Sequence, residues 1–152
     1  MANTYTQIYI QIVFAVKGRE NLIQPKNKEA LHKFITGIVK NRGQKLLAVH
    51  SMPDHIHLFI GLDPNISISD LVRDVKAGSS KFINESNWLI GKFNWQVGYG
   101  AFSYSRSQID NVIKYINNQE EHHKRRTFKE EYIDLLNKFN VEFEEKYLFD
   151  WV

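Results

Sequence analysis

An α+β fold of the ferredoxin-like kind, an antiparallel sheet with helices packed on one face and an appended C-terminal helix and tail, follows from three features of the sequence. Strand-like and helix-like runs occur in the order strand, helix, strand, strand, helix, strand, with further helical runs after them. Within those runs the apolar residues switch between period two and helical spacing. The 152 residues, 43% of them hydrophobic and 13% aromatic, fill one core and little more, so a single domain over 1–152 is expected, with its core at about 5–125 and a C-terminal helix and acidic tail at 126–152.

Residues 5–16 alternate, with Ile8, Ile10, Ile12 and Phe14 on one face and Gln7, Tyr9, Gln11 and Val13 on the other, and predict strand one. After a turn region at 18–25, residues 27–41 place Leu31, Phe34, Ile35 and Ile38 at helical spacing, and Gly43 stands where the helix should end. Residues 44–52 and 55–62 are β-rich runs parted by the turn dipeptide Pro53-Asp54, which predicts a hairpin. Ser67 is a good N-cap for a second helix carrying Ile68, Leu71, Val72 and Val75, continuing to Phe82 and Ile83 through Gly78. Residues 93–105 predict strand four, where Gly98 and Gly100 suggest a bulge, a bend or a close backbone approach. Ser107 is placed to cap a third helix striped by Ile109, Val112, Ile113 and Ile116, and residues 128–139 predict a fourth with Tyr132, Leu135 and Leu136.

The formal charge of +3 hides an asymmetry. Residues 1–129 hold 18 Lys and Arg against 10 Asp and Glu, whereas residues 130–152 hold 2 against 7. A basic body with an acidic tail suits a polyanionic partner, because cations that neutralise phosphates release counterions. With no cysteine, disulfides, thiolate metal sites and cysteine nucleophiles are excluded. No run approaches the ~20 apolar residues of a membrane span, and residues 1–19 lack the pattern of a signal peptide, so the cytoplasm is the expected location.

Two segments carry chemistry. In Pro53-Asp54-His55-Ile56-His57-Leu58-Phe59-Ile60 the two His lie two apart on a strand, so pleating puts both on the face opposite Ile56, Leu58 and Ile60. There they can share one metal ion, or sit as an ordinary His pair on an amphipathic strand. In the third helix Tyr115, Gln119 and His122 fall on one border of the apolar stripe. Tyr115 offers an oxygen nucleophile and Gln119 an amide oxygen for a metal; either can equally be an unremarkable helix residue.

Together with Gly98-Tyr99-Gly100-Ala101-Phe102-Ser103 and with His122-His123-Lys124 after the tyrosine helix, these motifs resemble the single-tyrosine HUH transposases, the TnpA type, of the insertion sequence two hundred and six hundred and five group. The resemblance covers nearly the whole chain. It implies a transesterification on single-stranded DNA without a nucleotide cofactor. His55 and His57 would hold a divalent ion, Mg or Mn, with Gln119 as third ligand. Tyr115 would attack the phosphorus, leaving a 5′-phosphotyrosine and a free 3′-OH for later strand transfer. His122 is a geometrically possible accessory to proton transfer. The resemblance also implies element ends folded as hairpins, and a homodimer in which the tyrosine helix serves either subunit's metal site.

No helix-turn-helix or zinc finger is evident, so DNA contacts are expected from scattered cations: Arg106 before the tyrosine helix, Arg73 and Lys76, and also Lys33, Lys40 and Lys81. The rival readings are a non-catalytic nucleic-acid-binding module, a domesticated single-strand nickase, and a phosphodiesterase that uses water in place of Tyr115.

Overall fold

The computed structural model describes residues 3–148, so Met1, Ala2 and the last four residues of the acidic tail lie outside the described residues. The chain runs β1 (Tyr9–Ala15), α1 (Lys28–Asn41), β2 (Lys45–Met52), β3 (His55–Gly61), α2 (Ile68–Glu85), β4 (Gly100–Tyr104), α3 (Ile109–Asn117), α4 (Gln119–His123) and α5 (Phe128–Lys138). The four strands form one sheet in the order β2-β3-β1-β4, every neighbouring pair antiparallel. This is the ferredoxin-like α+β arrangement expected from the sequence, except that helices pack on both faces of the sheet and not on one, α1 and α2 on the first and α3 on the second.

Period two explains how one sheet carries two different faces. Ile10, Ile12 and Phe14 of β1 and Ile56, Leu58 and Ile60 of β3 share a cluster with Leu31, Ile35 and Val39 of α1 and Leu71, Val72, Val75 and Ile83 of α2. On the other face Val112 and Ile116 of α3 pack on Ala48 and Phe59, and Phe128 of α5 stacks on the His55 ring with centroids 4.0 Å apart. The helices after β4 therefore cover the face that carries His55 and His57. Full burial of Ile116 and Phe128 side chains stabilises this cover by about 1.5–3 kcal/mol each.

Three local details differ from the sequence expectation. Strand four is confined to Gly100–Tyr104; upstream, only Val16 and Trp95 form an isolated bridge among the described residues. Around that bridge the segment keeps two backbone bonds, Gln96 N–H to the Ala15 carbonyl (2.8 Å) and Lys17 N–H to the Asn94 carbonyl (3.0 Å), and side chains of α2 satisfy other groups of its backbone. Asn84 bonds both the N–H and the carbonyl of Phe93, while Lys76 Nζ donates to the carbonyls of Gln96 (2.8 Å) and Gly98 (2.7 Å). Of the expected glycine roles, Gly98 supplies a bend at φ 97°, and Gly100 a close approach. The helix start is capped by Ser105 rather than Ser107, through a reciprocal box with Gln108 around the 3₁₀ turn Arg106–Gln108. Finally, the tyrosine helix breaks at Asn118 (φ −109°, ψ 28°), so Tyr115 and Gln119 belong to separate helices.

Candidate active site

The Pro53-Asp54 turn is pinned by backbone bonds, Val16 N–H to the Asp54 carbonyl and Ile23 N–H to that of Pro53, both 2.9 Å. β3 starts there, in register with Ala15 and Met52 at His55 and with Val13 and His50 at His57. Both imidazoles lie beneath the helices, 1% and 0% exposed, their ring centroids 5.3 Å apart. His55 Nδ1–H donates to Asp54 Oδ1 at 2.7 Å, which leaves the lone pair on Nε2. That Nε2 is buried and has no hydrogen-bond partner among the described residues. For His57, Gln11 Nε2 donates to Nδ1 at 2.9 Å, and Nε2 lies 3.1 Å from Glu131 Oε1. Gln11 is itself oriented by Tyr104, whose hydroxyl donates to its Oε1 at 2.7 Å.

Glu131 is the centre of the site and was not anticipated from sequence. It is fully buried on α5. Its Oε1 lies 3.8 Å from His55 Nε2 and 3.3 Å from His123 Nε2, and its Oε2 accepts the hydroxyl of Tyr115. Arg126 donates to the same Tyr115 oxygen at 3.1 Å and, through its other terminal nitrogen, to Asp134 at 2.6 Å. The imidazole of His122 stacks on the Tyr115 ring, centroids 4.4 Å apart. Gln119 is buried and joins through His123, whose Nε2–H donates to its Oε1 at 3.1 Å; its amide N–H donates to the Tyr115 carbonyl.

The electrostatics follow from burial. Burial lowers the pKa of His55 to about 4 against the opposing hydrogen bond to Asp54, so its neutral form is favoured. Burial alone raises the pKa of Glu131, but His57, His123 and His55 around it outweigh this and hold it below the usual carboxylate range. The Tyr115 hydroxyl is pushed up, first by burial and then by the charge and hydrogen bond of Glu131, while Arg126 opposes the shift. Tyr115 therefore keeps its proton at neutral pH until something accepts it.

Several expected DNA contacts are differently employed. Lys76 is half-buried with two of its donors on the carbonyls of the 93–99 segment, and burial lowers its pKa to about 8. Arg73 is exposed and paired with Asp70 and Asp74. Arg106 is exposed in the turn that opens α3. Besides Glu131, sequence reasoning passed over Arg126, Gln11 and the contacts of His123. Glu131 did leave a signal: it lies three residues after buried Phe128 and four before buried Leu135, an acid on an apolar stripe.

Residues 55, 57 and 131 offer two imidazole nitrogens and a carboxylate oxygen within 4.8 Å of one another. His55 fits a divalent metal as it stands, because its buried Nε2 lone pair has no hydrogen-bond partner among the described residues and Asp54 fixes its tautomer; His57, whose Nδ1 accepts from Gln11, carries its proton on Nε2 and would release it to bind the ion. Two cavities flank the cluster. One, of about 390 Å³, is lined by Tyr115, Arg126 and Glu131 among others; the second, of about 480 Å³, by Asp54, His55 and His123.

Known proteins share this fold. The chain is 24% identical over 120 residues to the ISDra2 transposase TnpA of Deinococcus radiodurans, an alignment covering 74% of this chain and 84% of that one. The fold superposes on a crystal structure of a transposase from Deinococcus radiodurans R1 with TM-score 0.63 and 23% identity, covering 78% of this chain and 95% of that chain. It also superposes on a REP-associated tyrosine transposase bound to a REP hairpin, with TM-score 0.59 and 14% identity over 100% of this chain and 90% of the other. The family profile described as IS200-like transposase matches residues 4–119, which reach from the strand before the His pair through the tyrosine helix, and the chain belongs to that family.

Proposed function

We propose that this chain cuts and rejoins single-stranded DNA, with Tyr115 as nucleophile beside a divalent metal ion held by His55, His57 and Glu131. The observation that carries this reading is the convergence of the Tyr115 hydroxyl and the His pair on one buried carboxylate, contributed by three separate elements. When bound, the metal, Mg or Mn, would supply positive charge to the scissile phosphate. Gln119 is the ligand implied by family resemblance, and its contact with His123 keeps it at the edge of the cluster.

The residues divide the remaining work. Glu131 Oε2 accepts the Tyr115 hydroxyl and is placed to take its proton as the O–P bond forms; as the P–O3′ bond breaks, that proton passes to the leaving 3′-oxygen, which departs as a hydroxyl. Arg126 stabilises the developing phenolate from 3.1 Å. His122 stacks on the ring and fixes its orientation. The product is a 5′-phosphotyrosine, which a second DNA 3′-OH attacks in the reverse sense, returning the proton to Tyr115. Hairpin-bearing ends are the proposed substrate, in keeping with the hairpin held by the REP-associated relative, and the acting form is a homodimer of single-domain chains.

The test is incubation of the chain with a labelled single-stranded element end and Mn or Mg, followed by denaturing electrophoresis and peptide mapping. A covalent adduct at Tyr115, absent in Tyr115→Phe and lost in His57→Ala, is the expected result. DNA binding with no adduct under any divalent ion would turn the reading to a binding module. Cleavage that survives Tyr115→Phe would turn it to a phosphodiesterase using water.

A further inference from the structure

The two imidazoles of the cluster are held in opposite tautomers. Asp54 accepts from His55 Nδ1–H at 2.7 Å, which leaves the lone pair on Nε2. His57 is the reverse: its Nδ1 accepts from Gln11 at 2.9 Å, so its proton sits on Nε2, 3.1 Å from Glu131 Oε1. One ring is ready for an ion and its neighbour is not. The difference lies in the partner, because the carboxylate of Asp54 only accepts, whereas the amide of Gln11 accepts at one end and donates at the other.

Gln11 occupies β1 between β3 and β4, opposite Phe59 on one side and Phe102 on the other, and is 0% exposed. His57 and Tyr104 stand two residues from those partners, at the diagonal positions of the flanking strands. A line of hydrogen bonds therefore crosses three strands, from the Tyr104 hydroxyl to Gln11 Oε1 at 2.7 Å and from Gln11 Nε2 to His57. An amide at the centre of a sheet is costly without partners, and packing alone would be served better by an apolar side chain. Tyr104 is half-buried, and burial raises its pKa to about 12, so it keeps its proton at neutral pH. A protonated hydroxyl, like the amide, both donates and accepts.

We infer that Gln11 and Tyr104 are positioning residues that move His57 from a resting tautomer to an ion-ready one through a half-turn of the Gln11 amide. In the turned arrangement Gln11 Oε1 accepts from His57 Nδ1–H, Gln11 Nε2 donates to the Tyr104 oxygen, and the Tyr104 O–H turns to water. The ring loses a proton at Nε2 and gains one at Nδ1, so its charge is unchanged and no buried polar group is left without a partner. His57 then presents a lone pair on Nε2, as His55 does already. The inference rests on the reading of residues 55, 57 and 131 as a metal site.

The experiment uses the full chain, labelled with ¹⁵N, metal-free and then saturated with Mg, at mildly alkaline pH. Long-range proton–nitrogen spectra distinguish a ring nitrogen that carries a proton from one that carries a lone pair, and the His57 signals are those lost in His57→Ala. Metal-free wild type should show the proton on Nε2, and Mg should move it to Nδ1 and shift the Gln11 amide signals with it. A proton already on Nδ1 in the metal-free chain overturns the inference. Gln11→Met, which fills the space without an acceptor for Nδ1–H, should weaken Mn binding by roughly 10–100-fold in calorimetric titration. Gln11→Glu, which accepts without turning, should restore it. Unchanged Mn binding in Gln11→Met, or equal loss in both variants, means that Gln11 only packs and overturns the inference while the metal site stands. Failure of wild type to bind either ion overturns the metal reading and this inference with it.

Discussion

Asp54 and Glu131 show how single side chains tune the site. Asp54 binds His55 Nδ1 at 2.7 Å, which aims the lone pair of Nε2 at the cluster; without it the ring is free to adopt the other tautomer. Asp54→Ala should weaken Mn binding by roughly 10–100-fold, read by calorimetric titration, with His55 and His57 still present. Glu131→Gln, which keeps shape and removes charge, should weaken Mn binding more than Gln119→Ala does. The reverse order would restore Gln119 as the principal third ligand. Part of this layer is readable in the sequence: residue type and spacing mark His55, His57 and Tyr115 as candidates, and the family resemblance implies their roles. Glu131 is not so marked, because its role depends on partners 74 residues away that no local pattern brings near.

At the scale of elements, α5 is the piece that completes the site, and its start is fixed by a reciprocal capping box between Thr127 and Glu130. Thr127→Ala should cost about 1 kcal/mol of stability in chemical denaturation, because the Glu130 N–H loses its side-chain acceptor at the start of the helix. The packing of α5 against β4 is tighter still. A Cβ at Gly100 would lie 2.6 Å from Tyr132 Oη and 2.9 Å from its ring, and Tyr132 is buried. Gly100→Ala should therefore destabilise by about 1–3 kcal/mol and loosen α5 over the site, measurable as faster amide exchange in 128–138. A wild-type denaturation curve in that variant would mean that Tyr132 yields without strain. The Lys28, His50 and Glu120 cluster ties α4 to α1 and β2, with Lys28 Nζ 2.5 Å and His50 Nε2 2.9 Å from the Glu120 carboxylate.

Over the whole molecule, stability should depend on pH through histidines held neutral outside the site. Burial, then the charges of His50 and Lys28, lower the pKa of His32 to about 4, and His50 is lowered by burial and Lys28. The unfolded chain protonates these groups near pH 6.5, whereas folded His32 does so near 4. Between those values the unfolded state binds more protons, so stability is complete above about 6.5 and falls as pH drops towards about 4. The melting temperature should decline across that window, and His32→Gln should flatten part of the decline. A flat profile in wild type would mean that His32 titrates normally. No helix among the described residues is long and apolar enough to cross a membrane. Single-strand binding should weaken as salt rises, with a slope set by the phosphates neutralised.

The sequence by itself determined the order of strands and helices, the turn that presents the His pair, and the tyrosine helix, because each is written in local periodicity and turn chemistry. Only the tertiary structure decided where strand four begins, since Lys76 and Asn84 satisfy backbone groups of the segment before it from a neighbouring helix. Only it broke the tyrosine helix at Asn118 and buried both imidazoles under α5. The reason is physical: an acid on an apolar stripe, an amide on a central strand and an arginine in a loop have no special local energy. They become a site when packing buries Glu131 and Gln11 against His57 and brings Glu131 and Arg126 to the Tyr115 hydroxyl.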